Sequence, residues 1–445
     1  MNIGKRDVAW GYISLFLVQG INVILLPFIL VFLSEKELGL WYTFTSLYGL
    51  AMLIDFGFQA TISRNISYIW SGAENIKSTG YQHAQNYNKI NKNYFLTLLS
   101  SVKSIYYTMG TIILVVLLSA GSYYIYTITI GEIDIKVALI SWLFYLTAIV
   151  LNIMFSFWNA ILKGIGAIKE YNKTLVIAKV SQIIFSLVLL YLGFGIIGVT
   201  VAYLLSVLVN RVSLSKFFYR HNDLTRELKG KIKPRINKRI FKDLLPNTFK
   251  TGISSMANYL VINFPIILAS YYVSLEVSGQ FGIVNQIVTL CLTLSNSYFN
   301  TYLAKFNYFR VKNNINDLIL LFKKSVFINY SINIVLFTGV ILLGDYLLGL
   351  MSTDKSLLPL PMTILIIVYR FLYNNQNIFV SLLSTKNIVP YYKSFIISAL
   401  ITVSIQFILL NIKPTLLNIL APIFVIQLIF NNWYWPFQVI KDLKK

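Results

Sequence analysis

The chain has 445 residues, 57% of them apolar, a mean hydropathy of +0.68 and a formal net charge of +22. Apolar runs of about 20 residues, enough to cross a bilayer core, recur along the whole length. Basic residues dispersed between such runs leave no soluble domain to carry a nucleic-acid groove, and the pattern implies a polytopic helical membrane protein.

In chain order the runs predict about twelve transmembrane helices, at 10–33, 38–61, 104–127, 137–162, 174–193, 196–216, 245–273, 279–303, 325–350, 358–383, 394–411 and 416–437. The segment from Arg64 to Lys103 is the longest gap between spans. It opens with Ile66, Tyr68, Ile69 and Trp70, so a short helix lying on the inner membrane face is expected in part of it. Near the middle of the chain a polar stretch carries Arg220, Arg226, Lys229, Lys231, Lys233 and Arg235. It divides the chain into an N-terminal six-helix lobe (1–219), a basic cytoplasmic linker (220–243) and a C-terminal six-helix lobe (244–445). Some transporters pair two six-helix halves in this way. Residue-by-residue similarity between the halves is faint; what they share is the order of long span, short outer turn, long span and extended inner loop.

Charge orients this map. With the N-terminus inside, the outer loops hold only Lys36, Lys136, Lys355 and Lys413 among 38 basic residues. Most of the remainder fall on the inner side, as the positive-inside rule expects, and both termini come out cytoplasmic. Contact of the basic loops with anionic lipid headgroups is a second use of the same charge.

Cys291 is the sole cysteine, and the histidines are His83 and His221. That composition excludes an intrachain disulfide and a multi-cysteine metal site. No phosphate-cradling glycine loop, zinc spacing or Ser/His/Asp set occurs. No cofactor, metal or enzymatic activity is therefore expected, and no cleavable signal peptide is evident.

Polar residues inside the spans are the candidate site. Arg370 lies near the middle of its run, where a lone arginine costs roughly 2.5–3.5 kcal/mol and usually faces a cavity or a partner. Asn374 and Asn377 share its helical face. Arg370 is either a substrate or gating residue or a structural pin. Lys250, Arg211 and Lys179 lie near inner span ends, with Lys103 at the boundary. Each singly suits snorkelling; together they would make a cavity mouth positive. Asp55 is a candidate ion-coupling carboxylate, or else a salt-bridge partner for a base such as Arg64. Gln19 and Asn22 precede Pro27, while Asn258 and Asn263 precede Pro265, so each lobe opens on a polar, bendable span. Gln286 belongs to a further polar series that would line a sugar cavity or simply join helices.

Three stretches are familiar. Leu33-Ser34-Glu35-Lys36-Glu37-Leu38-Gly39-Leu40-Trp41-Tyr42, Asp55-Phe56-Gly57-Phe58 with Arg64, and Leu162-Lys163-Gly164-Ile165-Gly166 resemble motifs of Wzx-type polysaccharide flippases, the O-antigen and capsule repeat-unit carriers of the multidrug/oligosaccharidyl-lipid/polysaccharide exporter superfamily. The resemblance implies two six-helix lobes around a central cavity that opens alternately inward and outward. It further implies transport of undecaprenyl-pyrophosphate-linked repeat units to the outer leaflet of the bacterial inner membrane.

The expected partners are thus a lipid-linked oligosaccharide, membrane lipids and a polysaccharide polymerase. Arg370, Asn374, Asn377, Lys250, Arg211, Lys103, Gln19, Asn22 and Gln286 are the candidate substrate contacts, with Asp55 for ion coupling. An ion-coupled drug or organic-cation antiporter of the same superfamily would prefer acidic residues in its cavity. A membrane-embedded polymerase would carry a large outer loop, and the outer loops here are short.

Overall fold

Every regular element among the described residues is helical, the form that closes its backbone hydrogen bonds within one segment. The computed structural model describes residues 25–72, 90–311, 314–350, 355–385 and 390–443. It comprises two units: Met1–Leu33 with Leu47–Ser255, and Ser34–Ser46 with Met256–Lys445. In chain order come α1 (25–32), α2 (Glu35–Met52), α3 (Phe58–Trp70) and α4 (Lys92–Val116). A π turn joins α4 to α5 (Ser122–Thr129), followed by α6 (Ile135–Met154), α7 (Phe157–Gly164), α8 (Ile168–Tyr191), α9 (Gly195–Tyr219), the short α10 (Asp223–Glu227) and α11 (Lys238–Ile262). Then come α12 (Phe264–Tyr272), α13 (Leu275–Thr301), α14 (Leu303–Val311), α15 (Ile315–Leu350), α16 (Leu360–Ser384), α17 (Tyr392–Ile412), α18 (Leu416–Ile426) and, after a second π turn, α19 (Asn432–Leu443).

Nine helical segments among the described residues are long and apolar enough to cross a membrane. They coincide with nine of the predicted spans. Two further predicted spans are helical but more polar, at α2 and α16. Of the first, only residues 25–32 are described as helix.

The predicted span 38–61 proves to be two helices, broken within the first unit. Its helix tightens into a short turn at Leu53–Asp55 and breaks where Phe56 (φ 44°) and Gly57 (φ 83°) adopt left-handed backbone. The chain restarts as α3, whose Phe58, Ile62, Ile66 and Ile69 form one buried stripe. The expected inner-face helix after Arg64 is thus the end of α3, and its apolar face is buried in protein. The partner is α7: a Cβ on Gly164 would stand 2.5 Å from the Ile66 side chain. Trp142 and Tyr145 of α6 are buried, the first donating its indole N–H to Ser122 Oγ (2.9 Å), the second stacked on Tyr203 of α9 at 5.0 Å.

The second unit shows the solvent for which the chain is built. On α15, Ser325, Asn329 and Asn333 are fully buried, while Phe327, Ile334, Val335 and Leu342 are 65–71% exposed. A water-soluble helix has the opposite arrangement. Polar groups inside and an apolar stripe outside mark a helix that faces hydrocarbon. The first residues of α2 belong to this unit as well. Ser34 and Glu37 cap them reciprocally, Ser34 N–H donating to Glu37 Oε2 (2.9 Å) and Glu37 N–H to Ser34 Oγ (3.2 Å). Here α2 and α13 meet backbone to backbone. A Cβ on Gly39 would lie 1.8 Å from the Leu275 carbonyl oxygen, and one on Gly279 would lie 2.7 Å from that of Glu35. Small residues of this kind let helices approach closely in a membrane.

Gly39→Ala must push α2 away from α13 and is expected to destabilise the protein by about 1–3 kcal/mol, read as a lower midpoint of thermal unfolding in detergent. Gly339→Ala, at a helical position with open space around it, is the control and should hold or raise that midpoint.

Candidate functional site

The polar chemistry gathers in two places, one in each unit. In the first unit α6 gives way to α7 at Phe155 and Ser156, where the Ser156 hydroxyl donates to the Ile153 carbonyl (3.0 Å). Arg211 of α9 reaches this break. Its Nη1 donates to Asn159 Oδ1 (3.2 Å) and, at 3.5 Å, to the Phe155 carbonyl; Nη2 donates to Asn152 Oδ1. The guanidinium is buried, and its Nε has no partner among the described residues.

Arg211 forms the inner wall of a cavity of about 880 Å³ bounded by α4, the α6–α7 break, α9 and α10. Five other basic side chains line it: Lys103, Lys216, Arg220, Arg226 and Lys229. Its floor is aromatic, with Tyr107 against Phe155 (5.7 Å), Phe157 against Trp158 (4.8 Å) and Trp158 against Tyr219 (5.5 Å). No aspartate or glutamate is among the lining residues. Such a chamber offers fixed positive charge beside apolar faces, which is chemistry for an anionic amphiphile.

The stretch expected to be a linker supplies part of this wall. Asn222 and Thr225 form a capping box that starts α10. Lys92 pairs with Glu227 at 3.0 Å, and Lys103 Nζ donates to the Ile232 carbonyl (3.0 Å). Beyond it, the Arg235 N–H donates to the Ser100 carbonyl (3.3 Å) and the Asn237 N–H to Ser101 Oγ (3.2 Å). Residues 222–237 are thereby fastened along α4, which holds Arg226 and Lys229 at the cavity.

Asp55 lies at the α2–α3 break in the same unit. Its carboxylate accepts the Tyr106 hydroxyl (2.6 Å) on one oxygen and the Gln59 N–H (3.3 Å) on the other. No basic side chain pairs with it among the described residues.

In the second unit Arg370 is 4% exposed. Its Nη2 donates to Thr289 Oγ1 (2.7 Å) on α13, and its Nε and Nη1 have no partner among the described residues. Beside it Asn374 joins a closed ring of amides across three helices. Asn296 donates to Asn374 (2.6 Å), Asn374 to Asn329 (3.4 Å) and Asn329 back to Asn296 (2.9 Å). Gln286, a turn before Thr289, accepts the Tyr42 hydroxyl (2.9 Å), and Asn377 is half-buried.

The structure therefore brings Arg211 and Lys103 to one cavity and Arg370 and Asn374 to one face of α16. Gln19, Asn22 and the Lys250 side chain lie outside the described residues. Sequence reading missed Lys216, Arg220, Arg226 and Lys229 as site residues. The available signal was the alternation of bases and rings in Lys216-Phe217-Phe218-Tyr219-Arg220.

Residues 5–303 match the family described as "Polysaccharide biosynthesis protein". Among solved structures the chain resembles an inward-facing multidrug-resistance MATE transporter of the MOP superfamily, with TM-score 0.73, 13% identity and 99% of each chain covered. It also resembles MATE in a bent conformation (TM-score 0.57, 15% identity, 99% of this chain and 97% of that one). A third is a MOP-superfamily transporter from Pyrococcus furiosus (TM-score 0.54, 14% identity, the same coverages). Comparison with curated proteins finds no match.

Arg370→Met removes a buried cation that has, among the described residues, one hydrogen bond and no counter-charge. It is expected to leave the unfolding midpoint unchanged or raise it, by up to about 1–4 kcal/mol in stability, whereas Thr289→Val, which strips that remaining partner, should lower it. Melting curves of the purified variants check both.

Proposed function

Because the chain belongs to the polysaccharide biosynthesis protein family and has the fold of MOP-superfamily transporters, we propose that it is a flippase for an anionic lipid-linked oligosaccharide. Its substrate is an undecaprenyl-pyrophosphate-linked repeat unit, carried from the inner to the outer leaflet of the bacterial cytoplasmic membrane for surface polysaccharide assembly. Both termini then lie on the cytoplasmic side.

The sign of the charge carries it. The cavity of the first unit has six basic side chains and no carboxylate, and the buried Arg370 of the second has no acidic partner among the described residues. A pyrophosphate supplies the missing counter-charge, and a unit charge pair about 4 Å apart gains roughly 4 kcal/mol at an effective dielectric near 20. An organic cation would meet repulsion at the same walls. Within this fold a change of sign has a precedent: the Pyrococcus furiosus transporter is described as having a binding pocket of reverse polarity that suggests a different function.

Deletion of the gene is expected to leave complete lipid-linked repeat units accumulating on the inner leaflet, with surface polymer lost. Normal surface polymer together with retained cationic drugs would instead establish the antiporter. In the complemented strain, Arg370→Ala should lower polymer export while the protein still inserts and accumulates; full export would remove Arg370 from the transport site. For Asp55→Asn, export that no longer responds to collapse of the proton or sodium gradient is expected, and an undiminished response assigns Asp55 to holding the α2–α3 break through Tyr106.

A further inference from the structure

The cavity of the first unit has a second property that its charge alone does not convey. On α9, Leu208 and Val212 lie a turn apart at its edge, 41% and 64% exposed. An exposed apolar step on a membrane-spanning helix faces hydrocarbon. Immediately along α9 come Ser215, Lys216 and Tyr219, with Arg220 just past its end, and the wall is completed by Arg226 and Lys229. Going along the helix, the lining changes from lipid-facing to cationic within about two turns.

Among the described residues, Lys216, Arg220 and Lys229 form no ion pair, while Arg226 has an exposed contact with Asp223 (3.4 Å). The deeper pair is more constrained. Lys103 is committed to the Ile232 carbonyl and stands 5.4 Å from the Tyr107 ring. Arg211 is 9% exposed with one donor unused. A buried guanidinium at the back, free cations at the rim and an aliphatic edge toward the bilayer match a ligand with a phosphate head and a hydrocarbon tail.

We propose that this cavity is a binding site for the phosphate headgroup of an anionic lipid. The tail leaves past Leu208 and Val212, and the segment from Arg220 to Ile232 closes over the head. The stretch expected to be a linker is then part of a ligand site, and its fastening along α4 through Ile232, Arg235 and Asn237 sets the distance between Lys229 and Arg211. The identity of the physiological lipid as the lipid-linked saccharide rests on the transport reading above; binding of the headgroup does not.

The test uses the full chain in nanodiscs of phosphatidylcholine, with geranylgeranyl diphosphate and phosphatidylglycerol as probes and native mass spectrometry or thermophoresis as the readout. Geranylgeranyl diphosphate should bind saturably and more weakly as salt rises. Arg220→Glu combined with Lys229→Glu should weaken it by about thirtyfold or more, whereas Arg220→Lys with Lys229→Arg should stay within a few-fold of wild type. Both positions are exposed, so unchanged melting curves will show that the charge-reversed protein is folded. Phosphatidylglycerol that fails to compete assigns the site to a diphosphate lipid; equal competition assigns it to membrane phospholipid. Binding that is indifferent to charge reversal, or no binding of either probe above the phosphatidylcholine background, overturns the proposal. Failure of the transport reading has a separate signature, in that lipid-linked units would not accumulate in the deletion strain while headgroup binding by the purified protein persisted.

Discussion

A helix in hydrocarbon has no solvent to complete a broken backbone hydrogen bond, so each interruption must be answered by protein. The breaks of this chain follow that constraint. At the α2–α3 break the amide of Phe56 returns to the Leu53 carbonyl (3.1 Å), and Asp55 draws in the Gln59 amide and the Tyr106 hydroxyl. At the α6–α7 break a serine hydroxyl and an arginine answer instead. The groups that repair the backbone are the same polar residues that give each unit its chemistry. Arg211 both stabilises an interrupted helix and lines a cavity with its charge.

Arg370 presents the contrasting case. It repairs no break, lies in an unbroken helix, and among the described residues is met by a single hydroxyl on α13. The asparagines around it satisfy one another in a ring, which leaves the guanidinium outside their network. Desolvating a cation without a counter-charge is among the larger penalties a fold can carry, and packing gives no compensation here. In the proposed transport cycle an anionic substrate group supplies it.

Much of the membrane architecture was legible, because length and apolarity are properties of a run and survive without knowledge of its neighbours. The ends were less so. The span expected from 104 begins at Lys92, and the one expected from 325 begins at Ile315, with Lys323 and Lys324 inside the helix. Helices end where capping and packing end them, not where hydropathy falls. Pro265 signalled the interruption near Asn263 between α11 and α12, but nothing at Phe155 announces one. Arg370 was visible as a charge in an apolar run. The rim cations were not, since the fastening of residues 232–237 to Lys103 and its neighbours spans more than a hundred residues of sequence, and a basic connector reads the same whether it is free or bound.

The amide ring of the second unit bears on how such a chain drifts over time. Asn296, Asn374 and Asn329 each give one hydrogen bond and take one within the ring, but Asn329 also donates to Ser295 Oγ and accepts from Asn333. Replacing Asn329 strands groups on three helices, whereas Asn329 keeps a second partner if either neighbour changes. Asn329 is therefore the position of the ring least free to change. Phe327, Ile334, Val335 and Leu342, on the outer stripe of α15, face only lipid tails and are free to wander among apolar side chains. One helix thus carries a fast clock and a slow one, a few ångströms apart.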